Sequence, residues 1–179
     1  MVKFISIGIF MVVIAFTGAF FWSRSADFPK SGGLLALVTD KPEENRFIHP
    51  NRGFSFDLPK GFEYGSFPDE NGELLVFEKN SREGFQIYIT PFDEEGPLTP
   101  ERIQQDLPSL SMTDVKKGEL DSISAVVFQS SNESLDTFEV WFLYPESPIP
   151  HGNYLYQILT YREYNDDLSQ ILQTWKFGQ

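Results

Sequence analysis

The sequence predicts an α+β fold: a largely antiparallel β-sheet packed between helices, with an N-terminal transmembrane helix ahead of it. Three observations predict it. Phe4 to Trp22 is a run of 19 residues without a charge. From Gly53 to Tyr161, short stretches that alternate or stay apolar are separated by Gly, Pro, Asn and Asp, the pattern of strands and turns. Two segments, opening at Thr99 and Asn165, carry helix-start residues followed by apolar positions at helical spacing.

Composition narrows the function classes. With the apolar head set aside, a chain of 179 residues leaves room for one compact domain and no second. A hydrophobic fraction of 41% with 16% aromatics is too rich for a disordered chain. The absence of cysteine excludes disulfides, thiolate metal sites, a cysteine nucleophile and a lipidated N-terminal cysteine. A formal charge of −12 argues against a nucleic-acid binder, which needs a basic footprint.

Residues 1–22 are expected to be the transmembrane anchor. At about 1.5 Å per residue, the apolar run spans roughly 28 Å, close to the hydrocarbon thickness of a bilayer. Lys3 precedes it, and Trp22 with Arg24 stands at the far end, where interfacial residues belong. A cleaved signal peptide is the competing reading. Its apolar core is usually shorter, about 7–15 residues. Cutting after Thr17-Gly18-Ala19 would leave Phe20-Phe21-Trp22 as an awkward mature start, and Ser23-Arg24-Ser25 is a second, weak cleavage candidate. Pilin-type assembly helices have a similar length, but the acidic residue usual near their start is absent. Basic residues are nearly balanced across the run; the two-residue tail before Lys3 favours an N-in insertion that sends the remaining chain outward.

Residues 23–46 are expected to be a solvated linker, rich in Gly, Ser, Pro and clustered charge. Leu34-Leu35-Ala36-Leu37-Val38 interrupts it and is compatible with a short strand or an interfacial segment. Residues 47–179 form the expected globular domain. Its 9 basic and 22 acidic side chains leave it at −13, against +1 for residues 1–46, so the acidity resides in the domain and favours solubility and repulsion from an anionic surface.

Within the domain, Gly53-Phe54-Ser55-Phe56-Asp57-Leu58 alternates and stops at Pro59-Lys60-Gly61. Glu73–Glu78 and Phe85–Thr90, joined by a polar loop, read as a hairpin. Thr99 caps a helix with Pro100 at its first position and Ile103 and Leu107 on one face. Three strands follow, Ser124–Ser130, Thr137–Tyr144 and Tyr154–Tyr161. The last two are nearly continuous in apolar residues, so they are expected to be central and covered on both faces by helices. Asn165 is expected to cap the second helix, with Asp166 and Asp167 at its positive end and Leu168, Ile171, Leu172 and Trp175 as its apolar stripe.

At both ends of the domain the residues carry a family resemblance. Gly53-Phe54-Ser55-Phe56-Asp57-Leu58-Pro59-Lys60-Gly61-Phe62 resembles the opening of PsbP-like domains, a group akin to Mog1 and DcrB proteins. Ile171-Leu172-Gln173-Thr174-Trp175-Lys176-Phe177 resembles the close of the same group. The family typically has Trp where Phe62 stands and Ser-Phe where Thr174-Trp175 stands. The resemblance rests on two short structural motifs and would cover residues 47–179. It implies an antiparallel sheet sandwiched between helices, and a role as an assembly or accessory module; fold alone does not fix an activity.

No Gly-rich phosphate loop, nucleotide fingerprint or Gly-x-Ser-x-Gly elbow occurs. His49 and His151, about a hundred residues apart and without helix-spaced partners, read as loop residues rather than metal ligands. Asp69-Glu70-Asn71-Gly72-Glu73 fails the calcium-loop spacing and reads as a turn. Asp93-Glu94-Glu95 reads as a solvated loop. The proline-stiffened loop Tyr144–Gly152 reads first as a simple connection between strands, with a partner-contact surface as the alternative, and Asn132-Glu133-Ser134 fits a glycosylation sequon, meaningful only in a eukaryotic secretory host. No catalytic, cofactor-binding or metal residue is assigned, and no cofactor is expected. The expected protein is a single-pass membrane protein with its domain on the extracytoplasmic side, serving as a non-catalytic binding or assembly module with an unidentified protein partner. An envelope hydrolase using acidic residues and a carrier of a small apolar ligand are the alternatives.

Overall fold

A computed structural model describes residues 46–178, apart from 81–82, 133–134 and 146–152. The expected transmembrane helix, Leu34–Val38, His151, most of the Tyr144–Gly152 loop and two residues of the sequon lie outside the described residues. Among the described residues no helix is long and apolar enough to cross a membrane.

In chain order the elements are β1 (Arg46–Ile48), β2 (Phe54–Asp57), β3 (Glu63–Pro68), β4 (Glu73–Glu78), β5 (Gly84–Phe92), α1 (Pro100–Asp106), β6 (Ser111–Leu120), β7 (Ile123–Asn132), β8 (Leu135–Tyr144), β9 (Asn153–Tyr161), a 3-10 turn (Arg162–Tyr164), α2 (Asn165–Gln173) and β10 (Lys176–Phe177). Seven strands make one sheet in the order β3-β4-β5-β9-β8-β7-β6, with every neighbour antiparallel. β1, β2 and β10 make a small antiparallel sheet around β2. The predicted α+β class, with a largely antiparallel sheet and two short helices, is what the chain adopts.

The two apolar strands take the interior of the large sheet, as their composition requires. β8 is buried without a break from Thr137 to Leu143, and β9 lies between it and β5. On one face Phe142 stacks on Tyr156 at 4.9 Å, and Val140, Ile158 and Ile87 share a row. On the other, Leu143 and Leu155 pack with Phe92 and with Leu98 of the segment leading into α1.

The first face is not covered by a helix alone, as the sequence had suggested. α2 contributes Leu168, Ile171 and Leu172, but the small sheet supplies Phe47, Phe54 and Phe56. The two-residue period of β2 is the cause: it sends both Phe54 and Phe56 inward, where each is 0% exposed. Trp175 is a second departure. α2 ends at Gln173, so Trp175 follows the helix rather than completing its stripe. Thr174 accounts for this placement. Its hydroxyl donates to the Ile171 carbonyl at 2.7 Å and accepts the Asp57 N–H at 2.8 Å, ending the helix on β2. The indole then lies 4.5 Å from Phe54, nearly parallel, and 5.1 Å from Phe56.

The helix starts also divide. Thr99 caps α1 as expected, accepting the Arg102 N–H at 3.2 Å. Asn165 does not cap α2; it is the first helical residue, and no side chain caps the helix. The preceding 3-10 turn runs directly into α2, and its Arg162 carbonyl accepts the Asn165 N–H, so Asn165 continues a helical run rather than opening one.

Candidate functional site

A groove lined by charges of both signs lies where three local structures meet. After β2, Leu58-Pro59-Lys60-Gly61 turns the chain, with Gly61 at φ 89°, a conformation that favours glycine. The β4–β5 hairpin brings Lys79, Glu83 and Gly84 alongside, and α2 presents Asp167, Leu168, Gln170 and Ile171. Between them is a groove of about 710 Å³. Phe62, Phe85, Leu168 and Ile171 supply its apolar lining, and Arg46, Asp57, Lys79, Glu83 and Asp167 its charged one.

The charges are largely committed to one another. Arg46 donates to Asp57 at 3.0 Å and to Ser55 Oγ at 2.9 Å. Lys79 pairs with Glu83 at 2.8 Å. The bond to Glu83 raises the Lys79 ammonium above its ordinary pKa, with help from the field of Asp167, and the same bond lowers the Glu83 carboxyl. The hydroxyls are also engaged: Thr160 donates to the Gly84 carbonyl at 2.6 Å, and Thr174 bridges Ile171 and Asp57. A groove of this kind offers shape, apolar contact and paired charge. It shows no nucleophile beside a general base.

A second groove, of about 690 Å³, runs along Phe92–Leu98 beside Ser124, Leu143 and Asn153. It contains Asp93-Glu94-Glu95, which is not simply a solvated loop. Arg102 donates to the Glu95 carbonyl at 3.0 Å, pairs with the Glu94 carboxylate, and lies 4.8 Å over the Phe92 ring. That single arginine, one turn into α1, draws the loop back onto the sheet.

His49 follows β1 in a turn, but it is buried, 3% exposed, rather than a surface residue. Its Nδ1 accepts the N–H groups of Asn51 at 3.2 Å and Arg52 at 3.1 Å, so the ring proton sits on Nε2 and is donated to Glu73 at 3.2 Å. Desolvation lowers its pKa, and Glu73 offsets only part of that. With both nitrogens occupied, His49 has no lone pair for a substrate proton. Glu73 is likewise committed, accepting from Ser66 Oγ at 2.8 Å and lying 3.7 Å from Arg52.

Asp69–Glu73 is the turn its residues suggest. Asp69 Oδ1 accepts the N–H groups of Asn71 and Gly72 at 2.7 and 2.8 Å, and Asp69 N–H bonds the Gly72 carbonyl at 2.8 Å. Among the described residues no group of three or more His, Cys, Asp or Glu is placed to hold a metal. The sequence reading missed Glu139. It is 6% exposed in β8, where Ser130, Thr137 (2.8 Å) and Trp141 Nε1 (2.8 Å) all donate to its carboxylate. Its signal was a lone acid inside an apolar strand, flanked two residues either side by a hydroxyl and an indole.

No protein-family profile matches the sequence, and no curated protein matches it. Among solved structures the chain is similar to cyanobacterial PsbP (CyanoP) from Synechocystis sp. PCC 6803, at 9% identity and a TM-score of 0.49, over 74% of this chain and 91% of that one. A crystal structure from Bacteroides thetaiotaomicron VPI-5482 aligns at 12% identity and a TM-score of 0.42, over 75% of this chain and 48% of that one.

Proposed function

We propose that residues 47–179 are a PsbP-like, non-catalytic binding or assembly module of the cell envelope. In this reading residues 1–22 hold it at the cytoplasmic membrane, and its domain stands on the extracytoplasmic side. The groove between α2 and the β4–β5 hairpin receives the protein partner.

One observation carries the reading. The interior is filled by interlocking rings: Trp175 on Phe54 and Phe56, Phe77 on Phe85 at 4.6 Å, and Tyr144 on Phe177 at 3.8 Å. A core so packed supports a rigid platform that presents its surface, rather than a vessel for an apolar ligand. The committed state of His49 and Glu73 argues against the hydrolase reading in the same way.

The test is site-specific photo-crosslinking of the full chain in intact membranes. A benzophenone side chain at Gln170, on the groove wall, is expected to give a discrete protein adduct in the membrane fraction. The same group at Lys117, exposed on the far edge strand, is expected to give none. Identical adduct patterns from both positions, or none from Gln170, would refute the groove as the partner site.

A further inference from the structure

The two edges of the seven-stranded sheet are built differently. β6 is interrupted by a bulge between Thr113 and Lys116, with Asp114 at φ 51°, and Lys116 and Lys117 follow directly. Bulges and lysines are the usual means by which an edge strand is kept from pairing with another chain. β3 has neither. It runs in unbroken register from Glu63 opposite Glu78 to Pro68 opposite Glu73, contains no lysine or arginine, and leaves Tyr64 and Phe67 58% and 49% exposed.

Which backbone groups of β3 face outward follows from the turn beyond it. The Asp69 N–H bonds the Gly72 carbonyl at 2.8 Å, which makes Asp69 and Gly72 a hydrogen-bonded pair. Bonded and non-bonded pairs alternate along an antiparallel ladder. Phe67, Gly65 and Glu63 therefore turn their backbone groups toward β4, while Tyr64 and Ser66 turn theirs to the open side. Pro68 also falls in an outward position, where its missing N–H costs the ladder nothing. Among the described residues no strand pairs with this side, which offers two N–H groups and three carbonyls in strand geometry.

We propose that this edge docks an extended, basic segment of another protein, which adds as an eighth strand beside β3. This surface is distinct from the groove between α2 and the β4–β5 hairpin. Charge selects the occupant. Two copies of this chain pairing through β3 would bring together Glu63 of the strand and Asp69 and Glu70 of the turn beyond it from both copies, with no cation in the strand, and close like charges destabilise such pairing. A segment with Lys or Arg flanking a few apolar residues meets those carboxylates at its ends and aromatic rings between. Tyr64 is held toward the core side, 5.0 Å from Phe47. Phe67 is on the opposite face and lies back over Gly65, whose absent Cβ would stand 2.9 Å from the ring. The strand therefore offers a ring on each face, which suits a partner whose side chains alternate.

The test uses the full chain in detergent and two fluorescein-labelled, end-blocked heptapeptides: KVTVTVK, and EVTVTVE as its acidic counterpart. Expected results are binding of the first peptide by anisotropy, at least about tenfold weaker binding of the second, and slowed hydrogen exchange at the Tyr64 and Ser66 amides. Ser66→Pro removes an outward N–H and should weaken binding about tenfold, the scale of one lost hydrogen bond. Ser66→Ala keeps that N–H and should bind as the parent does. Equal binding by a folded Ser66→Pro chain, equal binding of both peptides, or no binding of the basic one would overturn the proposal. Should Ser66→Pro fail to fold, the parent's exchange decides: peptide binding without protection at Tyr64 and Ser66 overturns it, as does protection that rises with protein concentration alone.

Discussion

Glu139 provides the sharpest measure of how polar groups are managed in the sheet. Its carboxylate is buried in β8 and accepts from Ser130, Thr137 and Trp141, and among the described residues no lysine or arginine is bonded to it. Glu139→Ala removes the acceptors and leaves the donors in place. Ser130 and Thr137, 2.7 Å apart, can satisfy each other once, so one hydroxyl proton and the Trp141 N–H are stranded. A stranded buried donor costs about 1–3 kcal/mol, and releasing the buried charge offsets part of the total, giving about 2–3 kcal/mol. In a domain of this size that is a fall in Tm of roughly 6–9 °C. Glu139→Gln differs. Its carbonyl can accept from Trp141 while its amide donates to the hydroxyl oxygens, so the expected loss is about 1 kcal/mol or less. Thermal unfolding of both variants, followed by circular dichroism, reads the difference. An alanine variant within about 1 °C of the parent would refute the hydrogen-bond argument. A glutamine variant as damaged as alanine would show that the charge, not the acceptor geometry, is what matters.

Three further predictions concern other parts of the fold. Trp175→Ala empties the centre of the aromatic stack and is expected to cost about 3–5 kcal/mol in chemical denaturation; Trp175→Phe should cost much less, because the indole N–H has no hydrogen-bond partner among the described residues. His49 is held neutral by burial, so its folded pKa lies below the ordinary 6.5. The unfolded chain then binds the extra proton, and stability should fall as pH drops below about 6.5 toward the folded pKa; His49→Gln should flatten the slope of Tm between pH 6.5 and 5. The β6–β7 hairpin turns through Asp121 and Ser122, at φ 46° and 72°. Ser122→Gly relieves the second of these and should raise stability by about 0.5–1 kcal/mol. Asp121 should be kept, since it holds Lys176 and the Phe177 N–H at 2.8 Å each.

The sequence made legible the parts of the fold whose residues face apolar surroundings. β8 and β9 were recognisable because burial on both faces removes the alternation of a half-wet strand. β2 was recognisable for the opposite reason, since Phe54 and Phe56 alternate with polar neighbours. β3 and β6 were not. Both are edges, so most of their side chains face water and leave no periodic apolar signal. The groove was hidden for a different cause. Arg46, Lys79 and Asp167 are far apart in the chain, and only the docking of α2 against the β4–β5 hairpin brings them to one surface. The loop position of His49 is legible in the sequence and its burial is not, because the partners that make burial tolerable are two local backbone N–H groups and a carboxylate on β4.

The placement of the domain's few cations bears on what it can bind. Lys176 ties β10 to the β6–β7 turn through Asp121, Arg102 ties α1 to the loop before it, and Lys79 bridges its own hairpin. Of these pairs only Arg102–Glu94 has a well-shielded cation; Lys79 and Lys176 are about half exposed, and pairs of that kind contribute little to stability. With 9 basic against 22 acidic side chains in residues 47–179, little positive charge remains to neutralise the rest. The excess negative charge therefore falls on strand ends and turns, including Glu63, Asp69 and Glu70 beside the open edge of β3. A surface arranged in this way repels further copies of itself and anionic lipid, and attracts a basic segment more strongly at low salt than at high. Weakening of peptide binding as ionic strength rises is thus the signature that separates charge-selected pairing on β3 from simple apolar adhesion to Tyr64 and Phe67.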